Sequence, residues 1–179
     1  VDIEMAEKAL TLAGWSSGHL DDYDQKYYRT WMHELPPLQH MRRGTALDVH
    51  HTILPETGRL KPKIQKLMDA AITLSVRDDF SVRILAPVDM VLHSATHLFH
   101  EGEFNHGLRD LFDLHRLLIE FSKEPDFWDE LIVRAQEIGL VQPLFYATHY
   151  TKKILQTPVP DYVLVKLQDI SSVGLMGWL

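Results

Sequence analysis

From Pro87 to the end of the chain the apolar residues recur at helical spacing almost without a break, and nothing else in the sequence restricts the fold more. Four or five helices fit that stretch: Pro87–Glu101, Gly107–Ser122, Pro125–Gly139, Gln142–Gln156 and roughly Tyr162–Ile170. Pro87, Pro125 and Pro143 stand near helix starts, where the missing amide hydrogen costs nothing. Gly102, Gly139 and the Pro158/Pro160 pair stand at stops.

Ahead of Ala86-Pro87 the pattern is mixed. Ile3, Ala6, Leu10 and Ala13 predict an opening helix with Asp2 at its cap, Gly14 as its stop and Trp15 as a buried anchor. Ser16 to Asp24 is polar and turn-rich, and Gln25 to Trp31 reads as a strand or an aromatic packing segment. Pro36-Pro37 forces an extended chain into Leu38–Met41. With Arg42-Arg43-Gly44-Thr45 as the turn, Leu38–Met41 and Ala46–Leu54 predict an antiparallel hairpin. Leu60–Ala71 is helical in pattern, and Ile72–Val76 and Ser81–Leu85 flank a turn at Arg77-Asp78-Asp79. The expected class is α+β: a partial mixed or antiparallel sheet with flanking helices, followed by a helical bundle.

Composition removes several alternatives. The chain has no cysteine, which excludes disulfides and thiolate metal sites. A net charge of −7 disfavours long nucleic acid as a partner. No apolar run reaches a membrane span and no secretory signal precedes the first helix, so the expected location is cytoplasmic. The eleven histidines are scattered rather than grouped at an end. Both ends look cut from a longer protein.

Two places carry chemistry. In an extended Ala46–Ile53, Asp48 and His50 share one face, while Leu47, Val49 and Ile53 share the other. A carboxylate and an imidazole one pleat apart suit a divalent ion or a proton transfer. In the helix after Pro87, Asp89, His93, His97 and His100 form one stripe, and Arg109 and Asp113 form another on the next helix. His93 and His97, four apart, can share a metal ion that Asp113 completes. Histidines held in a buried hydrogen-bond network with Asp113 give the same pattern.

The order Leu47-Asp48-Val49-His50, then Leu85-Ala86-Pro87-Val88-Asp89, then Leu92-His93 with His97, then Leu108-Arg109 with Asp113, resembles an uncharacterised nucleotidyltransferase family of the polymerase-beta-like superfamily. The resemblance implies a partial nucleotidyltransferase-like α+β domain over residues 1–85 and a helical domain over 86–179. It implies transfer of a nucleoside monophosphate from a nucleoside triphosphate to a hydroxyl acceptor, whether a small molecule, a sugar or a protein side chain. Asp48 matches the third catalytic carboxylate, a metal ligand, and His50 the histidine that assists the acceptor or orients Asp48. His93, His97, Arg109 and Asp113 match a substrate-side or structural polar cluster. The implied cofactor is Mg²⁺, in a two-ion mechanism.

The superfamily pattern also has an Asp-x-Asp or Asp-x-Glu strand, expected here before Val1. Asp2-Ile3-Glu4 has suitable letters but opens directly into a helical pattern. A fragment with one acid of three is expected to be inactive alone. Two alternatives stand beside transfer: a metal-dependent phosphohydrolase using His93, His97 and Asp113, and a non-catalytic interaction module.

Overall fold

The computed structural model describes residues 3–18, 21–55, 57–100 and 106–176, and its class is α+β. It divides into two compact units, residues 1–61 and 62–179.

In the first unit, α1 (Ile3–Leu12) ends at Gly14, whose φ of +92° only glycine adopts without strain. The expected cap Asp2 lies outside the described residues. Strand β1 (Trp15–Ser16) follows, then α2 (Asp22–Trp31). Of the two readings the sequence allows for Gln25–Trp31, the strand is corrected to a helix, while the aromatic packing is present along that helix. Asp21 caps α2 by accepting the Asp24 amide at 2.8 Å, and Tyr23, Tyr27 and Trp31 recur every four residues along one helical face. The Tyr23 and Tyr27 rings stack at 6.4 Å, and Trp31 meets Tyr27 edge-on at 5.9 Å. That aromatic ladder is a helical spacing, not an alternating one.

Strands β2 (Leu38–His40) and β3 (Ala46–Leu47) pair antiparallel, and β1 joins the other edge of β2. The hairpin is where the sequence put it, but its second strand is shorter than Ala46–Leu54. After Leu47 the pairing reduces to one isolated bridge between Glu34 and His50. The turn is built around His40, whose Nδ1 accepts the amides of Arg42 and Arg43 at 3.1 and 3.2 Å. Trp15 is half-buried rather than a core anchor; it packs against His40 at 5.2 Å with the Arg43 guanidinium over its ring. Among the described residues of this unit the buried aliphatic side chains are Leu35, Leu38 and Leu54, and α1 buries none.

The second unit opens with α3 (Ile64–Ala70), which starts four residues later than its apolar pattern because Pro62 precedes it. The hairpin of β4 (Ile72–Arg77) and β5 (Phe80–Ile84) follows, as expected from the Asp78-Asp79 turn. Ile72, Leu74 and Val76 lie on one of its faces and are about half exposed. The bundle comprises α4 (Pro87–His100), α5 (Gly107–Phe121), α6 (Phe127–Ile138), α7 (Val141–Leu155) and α8 (Asp161–Met176). The last runs longer than Tyr162–Ile170, and the expected stop at Gly102 lies outside the described residues. Leu92, Leu114, Leu118, Leu131, Ile132, Ile138, Leu144 and Leu167 are fully buried and make this core. Gly139, at φ +83°, terminates α6 in the left-handed conformation. Among the described residues no helix is long and apolar enough to cross a membrane.

Candidate functional site

Asp48 and His50 follow β3 on the side that solvent reaches, while Leu47 and Val49 are half-covered. The alternation expected of the segment therefore persists in burial even where the ladder stops. What the sequence did not reveal is the company of His50. Its Nε2 lies 3.4 Å from Glu34 Oε2, and its ring centroid is 4.9 Å from that of buried His33. Backbone bonds hold the two segments together on both sides. The His33 carbonyl accepts the amides of His51 and Thr52 at 2.9 and 3.3 Å, and the Leu35 amide donates to the Val49 carbonyl at 2.8 Å.

One sequence signal did point here. Pro36-Pro37 holds the chain extended just after His33-Glu34, and an extended segment beside a hairpin is free to pair with it.

Magnesium takes oxygen ligands, chiefly carboxylates and phosphate oxygens. Among the described residues the one group of three ligating side chains in mutual reach is His33, Glu34 and His50, and it does not include Asp48. The carboxylate set that a two-ion site needs is thus not assembled around Asp48 by these residues. Glu4 lies in the first turn of α1, so that residue opens a helix, as its context in the sequence implied.

In the second unit, α4 and α5 enclose a hollow of about 190 Å³ lined by His93, Ser94, His97, Asp110 and Asp113. The His93 and His97 rings lie nearly parallel with centroids 6.3 Å apart. His97 and Asp113 are exposed, so this is an open polar hollow and not the buried network the sequence allowed. Asp110, next to Arg109 on α5, joins Asp113 there. Arg109 is two-thirds exposed and pairs with Asp110 at 3.2 Å. His100, at the end of the stripe, is half-covered, and desolvation holds its pKa below the usual range.

Asp89 leaves the stripe altogether. Its side chain is fully buried and takes a two-pronged bond from Arg134, Nε to Oδ1 at 2.7 Å and Nη2 to Oδ2 at 2.9 Å. Arg134 Nη2 also donates to the Lys66 carbonyl, and Nη1 to Glu137 Oε2, each at 2.7 Å. Hydrogen bonding to Asp89 raises the guanidinium pKa above its already high value. Bonds from Lys66 and Arg134 hold Glu137 down at about 2. This network ties α3, α4 and α6 together, so Asp89 is a structural residue.

A family model described as "uncharacterised nucleotidyltransferase" matches residues 1–156. The chain belongs to that family. Its members' name implies a nucleoside triphosphate substrate and, generally, a divalent metal. The match takes in Asp48, His50 and the α4–α5 hollow alike. No curated protein and no solved structure matches the chain.

Proposed function

We propose that the protein moves a nucleoside monophosphate from a nucleoside triphosphate to a hydroxyl acceptor, with Asp48 as a Mg²⁺ ligand. The observation that carries this reading is the family match over residues 1–156 with an exposed carboxylate, Asp48, just past a sheet strand. Magnesium held at Asp48 would supply charge neutralisation at the triphosphate and would lower the pKa of the acceptor hydroxyl. His50, held by Glu34, orients that side of the site. The described residues bring one matched acid, and one acid does not organise two ions.

The test uses the natively expressed protein with nucleoside triphosphates labelled at the α or the γ phosphorus, magnesium and a mixed pool of hydroxyl acceptors. Transfer leaves the α label on the acceptor and releases pyrophosphate. Release of inorganic phosphate alone, without α label on any acceptor, favours the phosphohydrolase and refutes the proposal.

A further inference from the structure

We propose that His33, Glu34 and His50 bind one divalent ion of the zinc class, whose nitrogen-rich ligand set differs from that of an oxygen-ligated magnesium. One ligating atom from each of the three lies within 4.8 Å of the others. In a tetrahedral zinc site with ligands at 2.0–2.2 Å, neighbouring ligand atoms are about 3.4 Å apart. His50 Nε2 and Glu34 Oε2 already stand at 3.4 Å. Two imidazoles and a carboxylate are a donor set that zinc and similar transition ions prefer and magnesium does not.

The ligands are also held before any ion arrives. The bonds from His51 and Thr52 to His33, and from Leu35 to Val49, clamp the backbone on either side of the Glu34–His50 bridge. His33 is buried, whereas the side chains of Glu34 and His50 are 21% and 40% exposed. The ion would enter from the solvent side, and a water molecule would complete its coordination there.

The first unit has a use for such an ion. A unit of about 60 residues has a small core, and natural units of this size often add a disulfide or a metal to it. Here the described buried aliphatic side chains are Leu35, Leu38 and Leu54, and the chain has no cysteine to form a disulfide. An ion at this site would fasten the segment after α2 to the segment after β3. The assignment does not depend on the transfer reading, because it concerns metal binding in the absence of nucleotide.

The experiment is calorimetric titration of the tag-free, metal-stripped 179-residue chain with zinc chloride, alongside Glu34→Gln, His50→Gln, His33→Ala and a His93→Ala/His97→Ala control. The expected result is one zinc ion per chain, unchanged in the control. Affinity should drop at least tenfold in Glu34→Gln and His50→Gln, whose partly exposed side chains make misfolding no excuse. At free zinc a hundred times Kd, amide exchange by openings that break the clamp should slow about 100-fold. Absence of stoichiometric binding to the wild type overturns the proposal. So does binding that survives the Glu34 and His50 substitutions or disappears in the control.

Discussion

Replacing Arg134 by methionine should unfold the helical unit more readily than any surface change in it. Asp89 is fully buried and its charge is answered by both prongs of the Arg134 guanidinium, at 2.7 and 2.9 Å. Methionine keeps much of the side-chain volume but leaves a carboxylate in the core with no cation beside it. Removing one partner of a buried pair costs about 3–5 kcal/mol, well above the 1 kcal/mol or less of an exposed pair. The bond to the Lys66 carbonyl is lost as well, which places the expectation in the upper half of that range. Replacing both partners, Asp89→Leu with Arg134→Met, should recover most of the loss, because the penalty comes from the unanswered charge. Urea unfolding followed by helical circular dichroism reads Arg134→Met, Asp89→Leu alone and the double variant, and Trp128, buried in α6, gives an independent fluorescence signal. A loss below about 1 kcal/mol for Arg134→Met would refute the reasoning, and so would a double variant as unstable as the two single losses added together.

Four further outcomes follow from the structure. Glu137 is held at about 2 against an ordinary 4.5, so its contribution is complete above 4.5 and is lost as pH falls from there through 2. Being solvent-exposed, that contribution is small; acid titration of stability should show a shallower fall over this window in Glu137→Gln than in the wild type. Gly139→Ala should cost about 1–2 kcal/mol in urea unfolding, purely from the left-handed backbone, since nothing lies within 4 Å of an added Cβ. Asp21→Ala should cost about 1 kcal/mol in the first unit through loss of the α2 cap, measured by thermal melting of that unit. Asp48→Asn should leave stability within about 0.5 kcal/mol of wild type by urea unfolding, because the side chain is exposed.

The helices from Pro87 onward were legible because each is long, amphipathic and bounded by proline or glycine, so local pattern and tertiary burial agree. The β4–β5 hairpin was legible from its Asp78-Asp79 turn. Helix α2 was not, because its mean composition is polar and aromatic. Such a segment invites a strand reading unless the four-residue recurrence of Tyr23, Tyr27 and Trp31 and the cap at Asp21 are weighed together. Asp89 was misjudged for a related reason. Spacing places it on a stripe with His93 and His97, but nothing local announces Arg134, 45 residues away, which draws it into the core. At the candidate site, Asp48 and His50 were visible as a pair because strand alternation is local. Glu34 and His33 reach His50 only through a single bridge between distant segments, and no short-range pattern encodes that meeting.

The most direct measurement of the central claim is pyrophosphate release by the natively expressed protein with magnesium and a nucleoside triphosphate, compared between wild type and Asp48→Asn. Loss of an outer partner of a metal site costs up to about 100-fold, and loss of a ligand should exceed that. The account predicts a drop of more than about 100-fold with folding intact. Pyrophosphate release that is unaffected by Asp48→Asn would contradict it.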